Sequence, residues 1–250
     1  MRCYIPPADW RSDELLLPAE EAHHIRTVLR ARVGSAIVAF DGCGRSADCE
    51  IVELDRHLAR ARILQQYQRP KSSPEVTLLQ GIPREQKMDI LIQKATELGV
   101  HRIRPVQTDH AVARVHEGNE DAKRERWQRI ALNAAKQCGT AWLPEVEAAQ
   151  PLLTCLTEMP RVDLLLVCSL EPDAQPLKSV LRAAREARPA SVAILVGPEG
   201  DFSARERSAA RNAGGRAVSL GQRTLRTETA SLFILSVLDY EFSDPAPAAE

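Results

Sequence analysis

Apolar residues change rhythm along the chain near residue 70. Before that point they alternate or cluster in short runs, "SAIVAFDG" and "ADCEIVELD", on either side of "DGCG". Such runs predict strands, and Asp41-Gly42 between them predicts a hairpin turn. "HLARARILQQY", with Leu58, Ala61 and Ile63, is ambiguous but compatible with another strand. One helix is expected over Pro18–Leu29, with Ile25, Val28 and Leu29 as its apolar stripe. The segment "QRPKSSP" (Gln68–Pro74) carries two prolines, two serines and two cations and reads as a linker.

Beyond the linker, strands and helices alternate. "EVTLLQGI" is a strand, and "QKMDILIQKATELG" is a helix stopped by Gly99. "RIRPVQ" is a short strand, followed by the amphipathic helix "DAKRERWQRIALNAAKQCG". "VDLLLVCS" and "SVAILVG" are continuously apolar, as strands of a parallel sheet covered on both faces are. "SARERSAARNAGG" is a helix opened by a capping box, Ser203 with Glu206. "RAVSLG" is a last strand, the final helix spans about Glu228–Glu241, and the tail "SDPAPAAE" is expected to fray. The pattern predicts an α/β protein of two domains, a small β-barrel at 1–70 and a parallel α/β domain at 71–250.

Composition narrows the function classes. The formal net charge is −1, so nucleic-acid binding, if present, must use a local patch rather than global charge. The cysteines, Cys3, Cys43, Cys49, Cys138, Cys155 and Cys168, form no CxxC pair and read as free thiols. The opening "MRCYIPPADWRSDE" has no apolar signal-like core, and no segment reaches membrane-span length. A soluble, cytoplasmic protein without a membrane partner or metal is expected. "GCGRSA" fits the spacing of a dinucleotide fingerprint, but strands on both sides make it a hairpin turn.

Three places carry candidate chemistry. His23, His24, Arg26, Arg30 and Arg32 form a basic edge, either a solvated face or a phosphate-contacting surface. In "LVGPEGDFS" (Leu195–Ser203), a strand ends in glycine, proline, an acid and glycine again, which suggests a ligand loop beyond the carboxyl end of the strand. "LGQRTLRTETA" (Leu220–Ala230) repeats the arrangement. Thr227 is expected as the N-cap of the last helix and Glu228 as its dipole partner, which leaves Arg223, Arg226 and Thr229 unexplained.

At these two loops the chain resembles the RsmE family of 16S rRNA uridine N3-methyltransferases, in the SPOUT (trefoil-knotted) superfamily. "DILIQKATELGVHRIRPVQ" and "RWQRIALNAAKQCG" are also similar to that family, as are "HHIRTVLRARVG" and "FDGCG" in its PUA-like barrel. The resemblance implies a knotted C-terminal α/β methyltransferase domain behind an RNA-binding PUA-like barrel. It further implies S-adenosylmethionine (SAM) as methyl donor, a homodimer, and 16S rRNA, within the small ribosomal subunit, as partner. Carried over, the cofactor would be lined by Leu195, Gly197, Glu199 and Gly200 on one side and by Leu220, Gly221 and Leu225 on another. The apolar last helix, with Leu232, Phe233, Leu235, Val237, Leu238 and Tyr240, would serve both the core and the dimer interface. Asp201 stands where the family usually has a second glycine. Thr108–Val112 and Thr140 stand where the family usually has cations, for which His110 and Arg114 are possible substitutes.

The implied chemistry assigns roles. Uracil N3 must lose its imide proton as it attacks the methyl group, so Glu228 is expected as base or orienting group, positioned by Thr229. Arg226 is expected to stabilise charge on the uracil oxygens. Arg26, Arg30 and Arg32 in the barrel, with Arg84 and Lys87 in the second domain, are expected phosphate contacts. A ribose 2′-O-methyltransferase of the same superfamily, a non-catalytic RNA-binding module and a Rossmann oxidoreductase are the competing readings.

Overall fold

The structure, a computed structural model, describes residues 1–28, 30–55, 58–84, 87–111 and 120–242. The chain forms two compact units. One comprises Met1–Lys71 with Leu132–Leu143, the other Ser72–Ala131 with Pro144–Glu250.

In the first unit five strands form a small curled sheet in the order β1-β3-β4-β5-β2. They are β1 (Arg2–Tyr4), β2 (Glu14–Leu16), β3 (Ala36–Phe40), β4 (Arg45–Leu54) and β5 (Ala59–Gln68). The expected hairpin joins β3 to β4. The buried Asp41 carboxylate sets its turn, accepting from the amides of Cys43 at 2.7 Å and Arg45 at 3.0 Å. The ambiguous segment is a strand, since Ala59 and Ala61 are buried while Arg60 and Arg62 are exposed, a period of two. Helix α1 (Ala19–Thr27) follows Pro18 and sends Ala22 and Ile25 into a core with Ile5, Leu15, Ile37 and Ile51. Its stripe is narrower than expected. The helix ends at Thr27, Val28 is its exposed C-cap, and Leu29 lies outside the described residues. Strands β1 and β2 went unpredicted, because three residues are too few to show a period.

The second unit is built on a wholly parallel sheet in the order β11-β13-β10-β12-β6-β7-β8, with β9 also paired to β7. The strands are β6 (Glu75–Gly81), β7 (Arg102–Gln107), β8 (Glu145–Val146), β9 (Gln150–Pro151), β10 (Leu164–Cys168), β11 (Gln175–Pro176), β12 (Ser191–Val196) and β13 (Arg216–Ser219). The helices are α2 (Lys87–Glu97), α3 (Glu120–Cys138), whose residues from Leu132 onward belong to the first unit, α4 (Leu152–Glu158), α5 (Leu177–Ala187), α6 (Ala204–Asn212) and α7 (Thr227–Phe242). The continuous apolar runs are the central strands β10 and β12, buried along nearly their whole length. Ala193 and Leu195 pack with Leu152, Cys155, Leu156 and Ala210 of α4 and α6. Alternation sends Val192, Ile194 and Val196 to the opposite face, where α7 meets β12. Helix α5 was missed although Leu177, Val180, Leu181 and Ala184 repeat at helical spacing and are buried. No described helix is long and apolar enough to cross a membrane. The tail at 243–250 lies outside the described residues.

Candidate active site

Three loops leave the carboxyl ends of adjacent strands β13, β10 and β12 and enclose one cavity of about 290 Å³. Cys168 ends β10 and Ser169–Leu170 follow it, Gly197–Glu199 and Asp201 follow β12, and Ser219 ends β13, followed by Leu220–Gly221, Arg223–Arg226 and Thr227 at the start of α7. Ala230 of α7 completes the wall. This is where an open parallel α/β sheet places ligands, because the strand ends there present unpaired backbone groups.

The loop after β12 is a tight turn, with the Asp201 amide donating to the Pro198 carbonyl at 3.0 Å. Asp201 adopts φ 56°, a left-handed conformation in which aspartate is among the tolerated residues. Its presence in place of glycine is therefore compatible with the turn. Gly200 is required for a different reason, close approach. A Cβ there would lie 2.8 Å from the His110 carbonyl oxygen. Asp201→Gly is expected to change stability by less than about 1 kcal/mol, since lost strain and gained chain freedom offset each other. Asp201→Val should destabilise by roughly 1–2 kcal/mol, because a β-branched residue resists this backbone. Urea denaturation of the two variants checks both values.

A buried polar network fixes the loops. Gln80, fully buried at the end of β6, donates from Nε2 to Thr227 Oγ1 at 2.9 Å and accepts from the Ser231 hydroxyl. Thr227 Oγ1 in turn donates to the Gly197 carbonyl at 2.6 Å. The expectation that Thr227 caps its own helix is corrected here. Its hydroxyl joins the β12 loop to α7, Thr227 is already helical, and the Arg226 carbonyl accepts the first helical bond, from Ala230. The capping box of α6 is present, with Ser203 and Glu206 bonded reciprocally. Glu206 does more than cap. Its buried carboxylate also accepts from the Asp109 amide at 2.9 Å, while Ser203 donates to Asp109 Oδ2 at 2.6 Å. The loop after β7 is thereby tied to the loop after β12.

A charged cluster lies beside the cavity. Lys87 Nζ is 3.0 Å from Glu199 Oε1 and 3.7 Å from Glu228 Oε2. The Arg84 amide donates to both Glu199 oxygens at 3.3–3.4 Å. Partial burial pushes the Glu199 carboxyl up. Hydrogen bonds from its own amide, Lys87 and Arg84 outweigh burial and hold it below the usual range. The hydrogen bond to Glu199 raises the Lys87 ammonium above an ordinary lysine; partial burial opposes this, and the charges of Glu228 and Glu199 add to it. Burial pushes the Cys168 thiol up to about 12, so it forms a neutral part of the wall at neutral pH. Among the described residues no three His, Cys, Asp or Glu side chains cluster as metal ligands would.

Of the expected cofactor residues, Gly197, Glu199, Leu220, Gly221 and Leu225 line the cavity. Leu195 does not. It is fully buried on the α4/α6 face, and its neighbour Val196 lines the wall instead. Gly200 shapes the turn without reaching the cavity. Arg226 lines it and is exposed, whereas Glu228 stands just outside, partly buried. Thr229 is exposed, and no hydrogen bond joins it to Glu228. The residues that sequence reasoning missed are Cys168, Ser169, Leu170, Pro198, Ser219 and Thr224 in the wall, with Gln80 and Ser231 behind it. The end of the apolar run "VDLLLVCS" was the available signal for the first three.

The remaining expected contacts are scattered. Arg30 and Arg32 are exposed on the first unit and Arg26 is half-buried. None of these guanidinium groups has an ion-pair partner among the described residues. The Arg84 side chain is exposed on the second unit, while Lys87 is committed to the two glutamates. His110 Nδ1 lies 3.1 Å from the Gly200 carbonyl oxygen, in hydrogen-bonding range. Thr140 is occupied locally, its hydroxyl accepting from the Trp142 amide at 3.1 Å. Arg114 and Val112 lie outside the described residues.

Comparison with known proteins gives one consistent result. Residues 70–239 match the model of an RNA methyltransferase domain, and residues 17–64 match that of an RNA methyltransferase PUA domain. The ribosomal RNA small subunit methyltransferase E of Bacillus subtilis is 31% identical over 228 residues, covering 90% of this chain and 89% of the relative. The enzyme of that name from Neisseria gonorrhoeae, solved bound to S-adenosyl methionine, superposes with a TM-score of 0.85 at 30% identity, over 96% of each chain. A Legionella pneumophila structure in complex with bound SAM superposes with a TM-score of 0.84 at 29% identity, again over 96% of each chain.

Proposed function

Since the chain belongs to the ribosomal RNA small subunit methyltransferase E family, we propose that it transfers the methyl group of SAM to N3 of a uridine in 16S rRNA. It is a SAM-dependent methyltransferase with the SPOUT fold and a PUA-like N-terminal unit. The observation that carries the reading is the cavity between the "GPEGD" and "RTLRTETA" loops, with Arg226 in its wall and Glu228 near it.

The cavity suits SAM. Leu170, Val196, Leu220 and Leu225 offer apolar surface to an adenine ring, and the loop backbones offer donors and acceptors. Asp201 and Glu199 would hold the sulfonium charge of SAM, and Arg223 would hold its carboxylate. Bound there, SAM supplies an electrophilic methyl group.

Glu228 accepts the N3 proton, and its place outside the cofactor wall suits a group that must face the uracil. Arg226 stabilises negative charge on a uracil carbonyl oxygen. A low-dielectric pocket beside a fixed donor favours alignment of the two reactants. Arg26, Arg30, Arg32 and the Arg84 side chain draw in RNA phosphates. A second copy of the chain covers the α7 stripe of Phe233, Val237 and Tyr240, which also lines a groove with Leu177 and Leu181 of α5. The RNA is presented within the small ribosomal subunit.

Methyl transfer from labelled SAM to small ribosomal subunits and to free 16S rRNA, followed by mass spectrometry of the nucleosides, tests the proposal. The expected product is 3-methyluridine. Methyl on a ribose oxygen would assign the chain to the 2′-O class, and SAM binding without transfer to either RNA would refute the substrate.

A further inference from the structure

We infer that Lys87 is a positioning residue for the transfer step, holding the Glu228 carboxylate in place while Glu199 anchors the same ammonium from the cofactor loop. The inference rests on the reading of Glu228 as the proton acceptor.

Three observations carry it. First, one ammonium is within ion-pair distance of carboxylates from two different elements, 3.0 Å from Glu199 in the loop after β12 and 3.7 Å from Glu228 in the first turn of α7. Second, Glu228 Oε2 is buried and accepts no hydrogen bond, so Lys87 is the group that compensates its charge. A buried carboxylate oxygen with neither donor nor cation is strongly disfavoured and would swing out to water. Third, Lys87 is held firmly. It opens α2, whose Met88, Leu91 and Ile92 are buried in the core, and the Arg84 amide fixes Glu199 from the same segment.

The arrangement explains why a cation stands here. An ammonium is a compact point charge with three donors, able to face two carboxylates in different directions. Glu199 lines the cavity and Glu228 does not, so Lys87 links the cofactor wall to the group that faces the uracil. A phosphate contact, the role expected from sequence, would compete with both glutamates for the same ammonium.

The test compares Lys87→Met and Lys87→Arg at saturating SAM, reading kcat and the KM for RNA separately. Misplacing a reacting group by about 1 Å costs on the order of 10²-fold in rate, so Lys87→Met should lower kcat by about that factor with little change in KM. Lys87→Arg should recover most of the loss. In a Glu228→Gln background, Lys87→Met should add almost nothing, because both changes remove one unit. A raised KM with unchanged kcat would make Lys87 a phosphate contact and overturn the inference. Fully multiplicative losses in the double variant would overturn it too. If Glu228→Gln alone turns over normally, it is the underlying reading of Glu228 that fails, and the single variant shows this by itself. Lys87→Gln carries the same comparison should the methionine variant prove unstable.

Discussion

Glu228→Gln is expected to lower kcat about 10²- to 10⁴-fold, the range for losing a positioned acid or base. SAM affinity should stay nearly unchanged, because the side chain stands outside the cofactor wall. Glutamine keeps the shape but cannot accept the imide proton, and it cannot pair with Lys87. Glu228 also sits in the first turn of α7, where a negative charge stabilises a helix by roughly 0.3–1 kcal/mol. That contribution would appear as a small loss of stability and would leave the rate alone. Single-turnover kinetics with calorimetric SAM binding separates the two roles. Near-normal turnover with intact SAM binding would leave Glu228 a helix-end charge and nothing more.

Gly81→Ala is expected to weaken SAM binding at least about tenfold and to destabilise the fold by about 1–3 kcal/mol, as overpacking of a tight contact does. A Cβ at this position would lie 2.5 Å from Pro198 Cδ and 2.6 Å from Pro198 N. Neither atom is the end of a flexible chain, since the proline ring and the backbone must move together. Pro198 lines the cavity, so the displacement is transmitted to the ligand wall. Strand β6 cannot retreat easily either, because adjacent Gln80 is bonded to Thr227 and Ser231. Calorimetry and urea denaturation read the two effects. Unchanged affinity together with an unchanged midpoint would show that the contact does not set the cavity.

Much of the active-site region was legible in the chain. Both loops announced themselves, because a glycine with charged and polar residues at the end of an apolar strand does not continue the strand. The capping box at Ser203 was readable as spacing. Leu195 shows where the reading stopped. In a continuous apolar strand every residue is buried, so hydrophobicity does not say which side chains face the site and which face α4 and α6. Thr227 shows the second limit. Its position before an apolar run suggested a cap, but a hydroxyl takes the acceptor its neighbourhood offers, and the Gly197 carbonyl is only 2.6 Å away. Lys87 shows a third limit, since the sequence shows a cation but not the carboxylates that the fold brings to it.

By itself the sequence determined most of the longer strands and helices, the change from alternating to continuous burial near residue 70, the two ligand loops and the family. These are properties of local period, turn chemistry and short motifs, each written within one stretch of chain. Tertiary structure alone decided which groups meet. Lys87 and Glu199 are 112 residues apart, and Gln80 and Thr227 are 147 apart. Their contact follows from the order β13-β10-β12-β6, which sets neighbouring strand ends side by side without regard to chain order. A period reports that a face is buried; the sheet order names what lies against it.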